Sequence, residues 1–204
     1  MIAQAAHQAA MHRGPVVVIA PMDDWDEPAD DTIDLPAPAM LVQAQGADPA
    51  VVRMLADLLD GAANPAIVTG SSIDDPDSWA ALAALVDALD CPVWQEAQAG
   101  RAAFDHTSPR FAGHLPAARE QLRSALEPYD LVLVVGSLAF RQYLYSPGRF
   151  VHPSTRVVVL TADEHDAAMS AAQVAIVGDP APTMAAVAES VTRRARREWQ
   201  PRKV

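Results

Sequence analysis

The run Leu131-Val-Leu-Val-Val135 constrains the fold more than any other segment of the chain. Five branched apolar residues without alternation have no polar face to turn to water, so the segment reads as a central parallel strand covered on both sides. Gly136-Ser137 ends it, and Phe140, Arg141, Tyr143 and Tyr145 follow within ten residues. In an open parallel sheet, ligands bind beyond the carboxyl ends of the strands, so this loop is the first candidate for function.

A parallel strand needs crossover partners, and the flanking sequence supplies them. Asp48-Pro49 caps a helix with Val51, Leu55, Leu58 and Leu59 on one face up to Gly61. Strands are expected at Ala66–Thr69 and Cys91–Trp94, at Arg156–Leu160 and near Gln173–Val177. Helices are expected at Asp77–Leu89 with Trp79, Leu82, Leu85 and Val86 inward, at Leu115–Leu126, and from Pro182 to about Arg197. The polar stretch from Gln95 to His114 reads as a long loop. This alternation predicts an α/β fold: a three-layer, doubly wound, mostly parallel, Rossmann-like sheet.

The N-terminal part does not follow that rhythm. Residues 2–12 favour helix, Gly14-Pro15 breaks it, and Val16-Val-Val-Ile19 reads as a short buried strand before Pro21. Asp23, Asp24, Asp26 and Glu27 surround Trp25, and Leu35-Pro-Ala-Pro38 continues as a proline-stiffened linker. One helix and one strand do not make a domain. The expected organisation is therefore a remnant of a preceding domain (1–30), a linker (31–46), the sheet domain (47–197) and a tail (198–204).

Composition narrows the function classes. A net charge of −11 opposes nucleic-acid binding, whose phosphates need a basic surface. The one basic cluster, Arg193, Arg194, Arg196, Arg197, Arg202 and Lys203, reads as a solvated helix end and tail. No apolar run is long enough to span a bilayer, and the N-terminus lacks a secretory pattern, so the expected location is the cytoplasm. Cys91, the single cysteine, cannot form an internal disulfide and reads as a buried structural thiol.

Familiar catalytic signatures are missing. Gly70-Ser71-Ser72 and Gly136-Ser137 follow strands, and their amides could hold an anion. Neither matches a dinucleotide fingerprint or a phosphate loop, so they read as strand-terminating turns. The acidic residues around Trp25 do not follow calcium-loop order and read as solvated, with Trp25 packing against a domain edge. His7, His12, His106, His114, His152 and His165 show no metal-site spacing, and no nucleophile elbow accompanies them. Tyr143 and Tyr145 remain as the candidates, because a phenol can donate a hydrogen bond or relay a proton.

Several segments taken together resemble the central domain of the thiamine diphosphate-dependent 2-oxo acid decarboxylases, most closely the benzoylformate branch. They are Gly14-Pro-Val-Val-Val-Ile-Ala-Pro-Met-Asp-Asp-Trp-Asp26, Asn64-Pro-Ala-Ile-Val-Thr-Gly70, Pro92-Val-Trp94, and Phe140-Arg141 with Tyr145 and Pro147-Gly148. They occur in the family's order across almost the whole chain. The resemblance implies that the opening segment is the end of a pyrimidine-binding domain. It places Tyr143 at the family's active-site histidine position, with Phe140, Arg141 and Tyr145 in the substrate-pocket loop. A phenol there would not titrate near neutrality as imidazole does.

The resemblance also says what is lacking. The family holds thiamine diphosphate and Mg2+ with an activating glutamate and a Gly-Asp-Gly motif followed by asparagine. Here Gly178-Asp179 runs into Pro180, and the only asparagine, Asn64, lies upstream. The expectation is a central-domain portion of a benzoylformate-like decarboxylase, silent alone, with no cofactor-binding or metal residues of its own. Its expected partners are the missing pyrimidine- and diphosphate-binding domains, in cis or trans, and further copies of itself. The alternatives are a stand-alone nucleotide-binding or assembly module, and a subunit of a split thiamine diphosphate enzyme.

Overall fold

The computed structural model describes residues 46–195 throughout, residues 14–26 and 28, and positions 2, 5, 6, 8 and 9. The chain divides into two compact units, Met1–Ala44 and Gln45–Val204. The expected linker at 31–46 lies almost wholly outside the described residues, as do Glu27, the side chain of Asp24, and the tail from residue 196.

The larger unit is built on a six-stranded parallel sheet of order β3-β2-β1-β4-β5-β6. The strands are β1 (Pro65–Thr69), β2 (Val93–Gln95), β3 (Phe111–His114), β4 (Leu131–Val135), β5 (Arg156–Thr161) and β6 (Val174–Val177). The apolar run holds the centre: β4 lies between β1 and β5, and all five of its residues are buried. Side chains alternate across the sheet. Ile67, Leu131, Leu133, Val135, Val158 and Leu160 join the core on one face. Ala66, Val68, Val132, Val134, Val157 and Val159 join the core on the other.

Helices cover both faces, which completes three layers. On the first face lie α1 (Pro49–Gly61), α2 (Pro76–Leu89) and α5 (Pro180–Ser190), whose Leu55, Leu59, Leu82, Leu85, Met184 and Val187 fill that core. On the second, α3 (Arg119–Leu126) contributes Leu122 and Leu126 beside Trp94, Tyr129 and Phe140. A short α4 (Glu164–Met169) joins β5 to β6. Aspartate starts most of these helices: Asp48, Asp75, Asp163 and Asp179 accept from the first-turn amides, and proline follows three of them.

Four expectations need correction. Residues 16–19 form no strand, and Val17 and Ile19 are each 83 % exposed, because a strand exists only with a partner to pair with. Trp25 ends a 3-10 turn (Met22–Trp25) and is 78 % exposed. The long loop contains the edge strand β3, which is half-exposed and carries no alternation to betray it. The closing helix stops at Ser190, and Arg194 is not a solvated end. Its guanidinium donates to the carbonyls of Leu59 and Ala62 at 2.8 and 2.5 Å, capping the C-terminus of α1.

Boundaries shifted for simpler reasons. α3 begins at Arg119 rather than Leu115, since a residue before proline avoids helix and the Leu115 amide instead donates to the Gln95 carbonyl at 2.8 Å. On α1, Val52 and Ala56 are buried while Val51 and Leu58 pack only at the margin.

Candidate functional site

Strand order reverses between β1 and β4, so the turns after these two strands meet at the switch point. They meet too closely to leave a cradle. A Cβ on Gly70 would lie 2.1 Å from Ser137 Cβ and 2.3 Å from the Gly136 carbonyl oxygen. Gly136 has φ +69°, and a Cβ there would lie 2.7 Å from Ile73 Cγ2. The amides are already used: Gly70 N–H donates to Val135 O and Gly136 N–H to Leu160 O, both at 2.9 Å. Ser72 Oγ donates to Gly136 O at 2.7 Å, locking the turns together. A phosphate does not fit here.

The loop leaving this turn, residues 138–150, is held at both limbs while its tip stands in solvent. Phe140 is buried, 5.9 Å from the Phe150 ring centroid, and the two rings pin the base. Arg119, at the start of α3 and itself 9 % exposed, reaches across. Its Nε donates to Gln142 Oε1 at 2.8 Å, its Nη1 to the Gly148 carbonyl, and its guanidinium carbon sits 4.0 Å from the Phe150 centroid. Arg123, one turn on, donates to the Arg149 carbonyl, and the Tyr143 amide donates to Ala117 O at 3.0 Å. Between these fixings Tyr143, Leu144 and Tyr145 are 72, 75 and 81 % exposed.

A second group of charges lies under the inner limb. Glu96 directly follows β2 and is 2 % exposed. Its Oε2 accepts from the Gln98 amide at 2.9 Å and lies 3.7 Å from Arg141 Nη1. Arg141 Nη2 lies 3.8 Å from Asp166 Oδ1 on α4. Burial pushes both carboxyls above their ordinary values, against the opposing pull of Arg141 and, for Glu96, of the Gln98 and Arg141 amides.

The structure brings Phe140 and Arg141 inward and Tyr143 and Tyr145 outward, so the four expected residues do not form one constellation. Among the histidines, His106 stacks on Phe111 at 4.1 Å and its Nε2 lies 2.7 Å from Gln95 Oε1, with His114 edge-on at 5.4 Å. His7 and His12 lie outside the described residues. Among the described residues no three His, Cys, Asp or Glu side chains converge to hold a metal ion. Asp179 is engaged locally, its side chain accepting from the Ala181 amide at 3.2 Å to cap α5. Sequence reasoning missed Glu96 and Arg119. An ionisable residue placed directly after a buried strand was a readable signal for Glu96; nothing local marked Arg119.

Known proteins resemble the chain in sequence and in fold. Residues 52–187 match the family of the thiamine pyrophosphate enzyme central domain. Benzoylformate decarboxylase of Pseudomonas aeruginosa PAO1 is 32 % identical over 196 residues, which is 96 % of this chain and 37 % of that protein. The thiamine diphosphate-dependent 4-hydroxybenzoylformate decarboxylase of Rhodococcus jostii RHA1 superposes with a TM-score of 0.86 at 30 % identity, over 100 % of this chain and 39 % of that one. Benzoylformate decarboxylase of Polynucleobacter necessarius superposes with a TM-score of 0.77 at 25 % identity, over 87 % of this chain and 33 % of that one. The chain thus spans well under half the length of these relatives. With its parallel six-stranded sheet and its match across the sheet domain, the chain belongs to the thiamine pyrophosphate enzyme central-domain family.

Proposed function

We propose that this chain is the central-domain portion of a thiamine diphosphate-dependent 2-oxo acid decarboxylase acting on benzoylformate-like substrates, and that it is inactive alone. Its part in the reaction is to present the 138–150 loop as one wall of the substrate pocket. Tyr143, as the group facing the 2-oxo acid, donates a hydrogen bond, while Tyr145 contributes apolar surface. Phe140 and Arg141 support the loop from below.

The observation that carries this reading is the contrast within the loop. Arg119, Arg123, Phe140 and Phe150 hold its limbs, yet three large side chains at its tip remain exposed. Ordering a loop to hold aromatic surface in water is unfavourable unless another surface covers it. The chain spans only 37 % and 39 % of its relatives' length, and in this reading the remaining domains cover the tip. Within this reading, residues 1–30 close the pyrimidine-binding domain, 31–46 are the linker, and the remaining domains, in cis or trans, hold thiamine diphosphate and Mg2+. The assembly is a cytoplasmic homo-oligomer. No helix among the described residues is long and apolar enough to cross a membrane. A nucleotide-binding module gains no support, since the amides of Gly70 and Gly136 are already used.

The test is native mass spectrometry of the protein from cells that make it, with carbon dioxide release from benzoylformate in the presence of thiamine diphosphate and Mg2+. The expected active species is larger than 21.7 kDa and contains the missing domains, and Tyr143→Phe in it lowers kcat/KM about tenfold or more. An isolated 21.7 kDa chain that turns over would overturn the proposal.

A further inference from the structure

The Glu96 carboxyl is poorly placed for stability. It is 2 % exposed, and its Oε1 has no hydrogen-bond partner. The Arg141 Nη1 lies 3.7 Å from its Oε2, an ion-pair rather than a hydrogen-bonding distance. A buried carboxylate with an unmet oxygen stabilises a fold less than a neutral group of the same shape would. Residues that break local consistency in this way concentrate where a site must be held in one geometry.

What Glu96 holds is visible in its surroundings. Its backbone is fixed by the sheet, its amide donating to Thr69 O at 2.9 Å, and its Oε2 is oriented by the Gln98 amide. Among the described residues its cationic neighbour within ion-pair range is Arg141, which stands between the buried ring of Phe140 and the exposed tip of the loop. Asp166 from α4 meets the other guanidinium nitrogen at 3.8 Å, with the side chains of Asp163 and His165 as its electrostatic neighbours. The outer limb is fixed quite differently, by Arg119 and Arg123 donating to neutral oxygens. Titration leaves that clamp unaffected, whereas the inner limb depends on two carboxylates.

We infer that Glu96 is the positioning residue of the 138–150 loop: with Asp166 it holds Arg141, and thereby sets where Tyr143 and Tyr145 present their phenols. The use of those phenols as a pocket wall rests on the proposed function; the positioning itself does not. Protonation of Glu96 releases Arg141 to solvent and lets the inner limb move, while the sheet and the Arg119 clamp stay in place. The raised carboxyl places this change above the range where exposed glutamates titrate.

The full 204-residue chain labelled with 3-fluorotyrosine gives a direct readout, since Tyr129, Tyr143 and Tyr145 are its only tyrosines. Each 19F resonance is assigned by a Tyr→Phe substitution. In the unsubstituted chain the Tyr143 resonance titrates with a midpoint above the ordinary glutamate value of about 4.3. Glu96→Gln abolishes that titration and moves the Tyr143 and Tyr145 resonances by more than a linewidth, while the buried Tyr129 keeps its position. Asp166→Asn retains the titration.

A Tyr143 titration surviving in the folded Glu96→Gln chain, or resonances unmoved by that substitution, would overturn the inference. So would a shift of Tyr129 along with the others, which would mean general loosening. If Glu96→Gln does not fold, Arg141→Gln gives the same decision, because that side chain is 38 % exposed and tolerates replacement. It is expected to shift both tip tyrosines, and unmoved resonances sink the idea. None of these outcomes depends on decarboxylase activity.

Discussion

At Glu96, stability and placement pull in opposite directions, which gives the residue an unusual signature. Its carboxyl is raised in the folded state, so its contribution to stability is fully present below the ordinary glutamate range and is lost as pH rises through the raised folded value. Glu96→Gln is therefore expected to raise Tm at pH 7, by roughly 2 °C or more if the gain reaches a large fraction of a kcal/mol. The gain vanishes in acid, as melting curves between pH 3.5 and 7.5 would show. A lower Tm at pH 7 would mean the ionised carboxyl is net stabilising. Gly136 is constrained by shape rather than charge. Gly136→Ala combines a left-handed φ with a collision against Ile73 and Ser72, and is expected to cost roughly 2–4 kcal/mol in urea unfolding. Burial pushes the Cys91 thiol up to about 12, so it should resist aromatic disulfide reagents at pH 8 until the chain unfolds. The sequence already marked Cys91 as structural and Gly136 as a turn. It could not show that Gly70 and Gly136 are needed for contact with each other, because that contact joins residues 66 positions apart.

The helices and the loop they hold show where sequence patterns stop being informative. α1, α2 and β4 were legible because caps and apolar periods are local signals. β3 and α4 were not: the first is a half-exposed edge strand and the second only six residues long. Arg119 is the clearest case at this scale. In sequence it is an unremarked charge; in the fold it is buried and clamps the loop through Gln142, Gly148 and Phe150. Arg119→Lys keeps the charge and loses the planar fork, so amide exchange across residues 141–149 should quicken at least tenfold while α3 keeps its protection. Equal protection in the variant would show that Arg123 and the phenylalanine pair suffice. Arg194→Ala removes the side-chain donor from the Leu59 and Ala62 carbonyls at the end of α1, and a loss of about 1–2 kcal/mol in urea unfolding is expected.

For the whole molecule, the sheet unit Gln45–Val204 has its own core on both faces of β4, built from buried residues between Val52 and Val191. Removal of residues 1–44 should therefore leave Tm within roughly 2 °C of the full chain, a change equivalent to less than about 1 kcal/mol. A larger drop would mean that the opening segment contributes to the stability of the sheet unit. The parallel, doubly wound architecture followed from the sequence alone, because a strand without polar alternation must be covered on both faces and parallel neighbours require helical crossovers. The sequence also determined which loop leaves the central strand and that it carries Phe140, Arg141, Tyr143 and Tyr145. Only the tertiary structure divided those four into a buried Phe140 and half-buried Arg141 below and an exposed tip above, closed the space between the two glycine turns, and brought Glu96, Arg141 and Asp166 within ion-pair distance. The physical reason is range. Caps, periods and turns act over a few residues, whereas ion pairing and burial act between segments that meet only when the chain has folded.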